Sequence, residues 1–346
     1  MPRPSVASVT ATAPCRADLA GGTLDIWPLY LFHPGAVTVN VALDILTRCH
    51  IAPLPGRQVH LKSVDTNKEE RFADWHQFTS ARKYQHPLAA HLVRFFEPAG
   101  GLSIETHSEA PAGAGISGSS ALMIATTAAL ARFTGRPLSR EKIREVAQNV
   151  EAQLIRVPTG CQDYYPALHG GVSAIHLSPD GIRHEALAVP PEEMERRFLL
   201  AYTGVPRQSG INNWEVFQAH INGDPRVYKN FEEIGRIARA MRQALLAAAW
   251  DEVGRLLHEE WRLRRSNAPG ITTPLIEKLA AAAARNGARA SKVCGAGGGG
   301  CVIFLVEPEA CQRVASVIER NGGQLLDFRV ARRGLALRSP KPGEKP

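Results

Sequence analysis

Residues 297–300 are four consecutive glycines, and the run directly after them, Cys301 to Val306, is apolar without a break. Glycine loses more conformational freedom on folding than any other residue, so four in a row are costly in a generic turn. The apolar run reads as a fully buried strand. Close approach of the loop Gly295-Ala-Gly-Gly-Gly-Gly300 to another backbone or to a nucleotide is the economical explanation. A β-bulge or wide hairpin is the plainer alternative. A second glycine-rich segment, Pro111-Ala-Gly-Ala-Gly-Ile-Ser-Gly-Ser-Ser120, runs into an alanine-rich helical stretch. A loop entering a helix N-terminus offers unpaired N–H groups and the positive end of the helix dipole. Gly113, Gly115 and Gly118 lack the Cβ atoms that would keep a phosphate away. Ser117, Ser119 and Ser120 add hydroxyls for phosphate or Mg²⁺. A tight turn with a serine cap is the alternative. No Gly-Lys-Ser/Thr follows, so this is not a Walker loop, and the acidic residue of a dinucleotide fingerprint is missing.

The 346 residues are enough for two domains. Apolar residues make up 44% and charged residues 21%, which excludes wholesale disorder, collagen and coiled coil. Strand patterns fall at 36–52, 57–72, 102–106, 172–176, 198–202, 302–306 and 325–330. Helical patterns fall at 88–96, 119–133, 139–156, 228–248, 250–265, 274–286 and 310–321. Both kinds occur in each half without strict βαβ alternation, which predicts an α+β protein. Pro190 and Pro191, followed by a charged stretch, place the domain boundary, giving domains 1–190 and 191–346.

The net charge of +8 is scattered, and the basic end, 332–345, reads as a solvated tail. Such a charge suits a small anionic substrate, whereas nucleic-acid binding needs a stripe or a patch. The six cysteines form no C-x-x-C pair, so neither a zinc site nor a disulfide framework is expected. The first residues lack the apolar core of a signal peptide, and the uncharged stretch 110–131 is too broken to span a bilayer. The expectation is a cytoplasmic protein with no membrane or nucleic-acid partner.

Three groups of charged residues stand out. In the helix 139–156, Ile143, Val146, Val150 and Leu154 define an apolar stripe, and Glu151 lies at its edge. An acid there is costly unless it meets a cation, either an arginine or a metal, and the ion pair is the commoner answer. Asp163 follows a Pro-Thr-Gly turn and precedes an apolar strand, where an Asp is either a cap or a pocket acid. The segment Arg16-Ala-Asp18-Leu-Ala-Gly-Gly22-Thr-Leu-Asp25 gathers acids, an arginine and glycines between apolar runs, in the manner of a polar pocket wall.

Taken together, these segments resemble the GHMP kinase superfamily (galacto-, homoserine, mevalonate and phosphomevalonate kinases). Ala13 to Asp25 resembles its first motif in the sugar-kinase version, Arg followed by Ala-Gly-Gly-Gly-Thr-Asp. Pro111 to Ser120 resembles the phosphate loop, and Lys292 to Phe304 the third motif. The closest members in pattern are D-glycero-D-manno-heptose 7-phosphate kinases and related anomeric sugar kinases. The resemblance implies a two-domain fold, with an N-terminal domain like ribosomal protein S5 domain 2 and a ferredoxin-like C-terminal domain.

It further implies ATP-dependent phosphorylation of a sugar, with Mg²⁺ and ATP as cofactors and a sugar or sugar phosphate as partner, in a monomer or homodimer. Pro111, Gly113, Ala114, Gly115, Ile116, Ser117, Gly118, Ser119 and Ser120 would bind ATP. Ser119 and Glu151 would hold Mg²⁺. Asp163 would orient or deprotonate the sugar hydroxyl, and Arg16 would stabilise that acid and the phosphoryl group in transfer. Asp25, Gly22, Gly297 and Gly298 would contact the sugar, with Arg207 and Lys292 as further candidates for a distal phosphate.

The pattern departs from the family at Gly118, where a serine is usual, and at Thr23-Leu24, where the motif has Gly-Thr. It also departs at Tyr164, Tyr165 and His169, which are expected to border the sugar pocket. Another GHMP kinase (of galactose, fucose or a uronic acid, or of the isoprenoid pathway) is the first alternative, and Arg16 in place of the usual lysine argues against the mevalonate type. A non-catalytic sensor on the same fold is the second, and the presence of Ser119, Glu151 and Asp163 argues against it.

Overall fold

The computed structural model describes residues 8–206 and 211–339. Its strands are β1 (Val9–Ala20), β2 (Val37–Leu54), β3 (Val59–Ser63), β4 (Lys68–Phe72), β5 (Gly101–Ser108), β6 (Val172–Ser178), β7 (Gly181–Leu187), β8 (Phe198–Tyr202), β9 (Ala288–Val293), β10 (Cys301–Val306), β11 (Gln324–Leu326) and β12 (Ala336–Arg338). The helices of the first half are α1 (Trp75–Ser80), α2 (Pro87–Phe96), α3 (Gly118–Phe133), α4 (Arg140–Ile155), α5 (Tyr164–His169) and α6 (Pro191–Arg197). Those of the second are α7 (Ile211–Ile221), α8 (Pro225–Leu246), α9 (Trp250–Arg265), α10 (Pro274–Arg285) and α11 (Cys311–Arg320).

β1 and β2 form the spine of an eight-stranded sheet. One edge of β2 is covered by β1; the other is shared by β6 along 37–41 and β5 along 47–54. The second half of β1 is buried on both faces, with α3, α5, α8 and α9 packed against the strand. The alanines of α3 make this possible. The helix is buried nearly all round, and small side chains let the sheet and neighbouring helices approach it closely. Ser139 caps α4 by accepting from the Lys142 N–H, as its position predicts.

The second sheet runs β11-β8-β10-β9, all antiparallel. Sequence order 4-1-3-2 with helices between its first and second and its third and fourth strands is the ferredoxin-like arrangement. The apolar cores of the two halves merge into one cluster.

Three expectations change. Asp163 leads first into the short helix α5, not directly into a strand. The strand expected at 325–330 is confined to β11. The chain then returns to the first sheet: Val330 bridges to Leu43 and β12 pairs with β1, so this stretch of 191–346 packs with the first half. Among the described residues no helix is long and apolar enough to cross a membrane.

Candidate functional site

The loop before α3 turns through left-handed backbone at Gly113, Gly115 and Ser117, with φ of +69°, +74° and +63°. It opens onto a cleft of about 580 Å³ lined by the loop, by Ser119 and Glu151, and by Gly160, Asp163 and Asn213. The Ser117 side chain does not cap α3, and its buried Oγ has no partner. The first-turn N–H groups of α3 therefore face the cleft without a capping side chain, which is a ready anion site. At Gly118 a Cβ would lie 3.2 Å from the Ala110 Cβ, so a serine there would be crowded in this chain.

The four-glycine loop takes its shape from this neighbour. Gly300 has φ of +78°, and a Cβ there would come within 2.7 Å of the Ala114 carbonyl oxygen. The Cys301 N–H donates to that same oxygen at 2.7 Å. A Cβ on Gly297 would come within 2.1 Å of the Ile271 carbonyl oxygen, and the Gly298 N–H donates to that oxygen at 2.9 Å. The economy of glycine is thus backbone-on-backbone packing, at Gly300 against the loop before α3 and at Gly297 against Ile271. The Gly298 N–H is spent inside the protein.

Arg16, 2% exposed, joins these pieces. Its Nε and Nη2 donate to Asp163 Oδ1 at 3.0 and 2.5 Å, and its Nη1 donates to the carbonyls of Gly115 (3.1 Å) and Cys294 (2.6 Å). The guanidinium lies behind Asp163 and ties both glycine loops to β1. It does not line the cleft. The Asp163 side chain is 25% exposed and makes no capping bond to α5. It presents a fixed carboxylate to the cleft, beside the helix end.

Glu151 is buried and makes no ion pair among the described residues, contrary to the commoner expectation for such an acid. Its Oε1 accepts from Ser119 Oγ at 2.6 Å and its Oε2 from the Tyr164 hydroxyl at 2.7 Å. Burial pushes its pKa up, against those hydroxyl bonds, and nearby Asp163 adds to the rise. A buried carboxyl with a hydroxyl beside it and no protein cation is a hard-oxygen donor set of the kind Mg²⁺ takes, together with water and phosphate oxygens. The residues fit the ion.

Asp25 is buried, with Oδ2 accepting the Gln162 N–H at 2.8 Å and Oδ1 unpartnered. Burial pushes its pKa up to about 7 despite that N–H, and Asp163 and Asp18 reinforce the rise. Gly22 sits against Asp18, Arg264 and Gln162, where any Cβ would collide. Lys292 is fully buried, 3.0 Å from Asp18 Oδ2 and 3.0 Å from Glu260 Oε2. It is an internal counter-ion and cannot serve as the phosphate contact the sequence suggested. Arg207 lies outside the described residues.

Tyr165 and His169 also depart from expectation. Both stack with His184 near β6 and β7, away from the cleft. Tyr164, by contrast, supports Glu151 directly. Sequence reasoning passed over Asn213 and Thr159 on the cleft wall, because neither belongs to a motif.

The model of the GHMP kinases N-terminal domain matches residues 83–171, and that of the GHMP kinases C-terminal region matches residues 241–324, together half of the chain. A D-glycero-alpha-D-manno-heptose 7-phosphate kinase of Campylobacter jejuni is 24% identical over 339 residues, covering 95% of this chain and 98% of its own. A mevalonate kinase of Thermococcus onnurineus is 28% identical over 250 residues, 70% of each chain. Among solved structures, a D-glycero-D-manno-heptose 1-phosphate kinase from Bacteriodes thetaiotaomicron superposes with a TM-score of 0.77 at 22% identity, covering 96% of this chain and 100% of that one.

Proposed function

The chain belongs to the GHMP kinases, and on that premise we propose that it transfers the γ-phosphoryl group of ATP to a sugar hydroxyl, at C1 of D-glycero-D-manno-heptose 7-phosphate or of a related sugar. The observation that carries this reading is the Asp163 carboxylate, held by buried Arg16 in a cleft that is also lined by an uncapped helix end. The full-length likeness to a heptose 7-phosphate kinase supports the choice of sugar.

Phosphoryl transfer needs positioning and charge neutralisation more than covalent chemistry. The loop amides and the first turn of α3 bind the phosphate chain. Ser119 and Glu151 would hold Mg²⁺, which when bound neutralises charge on the phosphate oxygens. Asp163 orients the acceptor hydroxyl and takes its proton as the sugar oxygen bonds to the γ-phosphorus and ADP departs. An anomeric hydroxyl is more acidic than an ordinary alcohol, which eases that transfer. Arg16 fixes the aim of Asp163. Gly160 and Asn213 wall the cleft near Asp163, and Asp25, buried directly behind Gly160, supports that wall rather than lining it, as does Gly22, whose carbonyl is taken by Arg264.

The test is ADP release from Mg-ATP in the presence of heptose 7-phosphate, mannose, galactose, fucose, glucuronate and mevalonate, one at a time. Release that depends on the heptose phosphate supports the reading in full. Preference for a free sugar corrects the substrate, and dependence on mevalonate alone overturns the sugar assignment.

A further inference from the structure

Thr23 is a β-branched residue with φ of +75°, a left-handed conformation that such residues keep only where the surroundings impose it. It is buried in the segment between Gly22 and Asp25. Arg264 Nη1 approaches Thr23 Oγ1 at 3.4 Å, and Thr23 Oγ1 lies 3.3 Å from Asn213 Oδ1. A guanidinium can only donate, so the hydroxyl accepts from Arg264, and it donates its own proton to Asn213 Oδ1. Arg264 is itself locked by Glu260, which accepts at 2.7 Å, and by the Gly22 carbonyl at 2.9 Å.

With the Asn213 Oδ1 taken by Thr23, its NH₂ is the group left to donate on the wall of the cleft that Asp163 and Gly160 also line. α7, which carries Asn213, is pinned at its far end as well, where His33 Nε2 and His220 Nε2 lie 2.8 Å apart. We propose that Asn213 is a specificity-determining residue that donates to an oxygen of the sugar substrate, and that Thr23 is the positioning residue that fixes its amide. The proposal rests on the sugar-kinase reading.

The experiment measures binding of D-glycero-D-manno-heptose 7-phosphate and, separately, D-mannose by titration calorimetry, with ADP release and Mg-ATP affinity alongside. Asn213→Ala weakens binding of the preferred sugar about ten-fold, the worth of one buried hydrogen bond. Thr23→Val does the same, Thr23→Ser restores binding to within about two-fold, and the Thr23→Val, Asn213→Ala double variant is no weaker than Asn213→Ala alone. Mg-ATP affinity stays at the wild-type value, which a general loosening of the fold would not allow. Should Thr23→Val fail to fold, Asn213→Asp carries the test, because it keeps the acceptor for Thr23 and removes the donor.

Unchanged sugar affinity in Thr23→Val or Asn213→Asp overturns the proposal alone. Sugar binding without turnover in the wild type overturns the kinase reading, while the variants still decide the role of Asn213. A wild-type protein that binds neither sugar overturns both.

Discussion

Replacing Lys292 by methionine removes one cation from a buried, neutral set of four charges. Asp18, Glu260 and Lys292 are wholly buried, and Arg264 nearly so. Lys292 Nζ is 3.0 Å from both acids; Arg264 Nη2 is 3.2 Å from Asp18 and 2.7 Å from Glu260. In the variant two buried carboxylates share one guanidinium, and an uncompensated buried charge costs about 3–5 kcal/mol. The cost depends on pH with a definite sign. Burial alone would raise the Asp18 pKa, but Lys292, Arg264 and Arg16 hold it below its usual value. In the wild type this contributes stability above the unfolded pKa of about 4, lost as pH falls through the folded value. Without Lys292 the Asp18 pKa rises, a proton can neutralise the misfit at low pH, and the penalty grows as pH rises. Urea unfolding of both proteins at pH 5 and pH 8, with equal m-values, reads the difference. A loss under about 1 kcal/mol at pH 8, combined with weaker sugar-phosphate binding, would refute the reasoning and return Lys292 to the substrate site.

Three further outcomes follow from the geometry. Asp25, its pKa raised to about 7, has its full stabilising effect below pH 4 and loses it as pH rises through 7; Asp25→Asn therefore flattens the decline in urea stability across that window, by on the order of 4 kcal/mol at most. Gly300→Ala forces a side chain against the Ala114 carbonyl in left-handed backbone; it costs at least about 1 kcal/mol of stability and raises KM for ATP more than KM for sugar in steady-state assays. Glu151→Gln keeps partners for the Ser119 and Tyr164 hydroxyls but removes a buried charge; thermal melting shows stability held or raised, while kcat with Mg-ATP falls about a hundred-fold or more.

The sequence carried its information where local pattern and final environment coincide. α9 runs from Trp250 to Arg265, as its apolar spacing predicts, and Ser139 caps α4 from the expected place. β1 was harder to see, because Arg16 and Asp18 interrupt its apolar pattern at positions that are nonetheless buried. Their partners, Asp163 and Lys292, stand more than a hundred residues away. The same distance hid the role of Lys292: a lysine in a glycine-rich motif suggests a phosphate, and only the fold supplies two buried acids for it. Glu151 was recognisable as an acid at the edge of an apolar stripe, but not that hydroxyls would be its partners. The glycine loops announced close approach; which backbone each approached was settled by the meeting of the two halves at Ala114.

The central claim is that Asp163, held by Arg16, acts on the hydroxyl that is phosphorylated. Asp163→Asn tests it most directly, through sugar-dependent ADP release measured beside Mg-ATP binding. The account predicts that release falls by about 10²–10⁴-fold, the usual worth of a general base, while Mg-ATP affinity stays within a few-fold of the wild type. Sugar-dependent release close to the wild-type rate would contradict it.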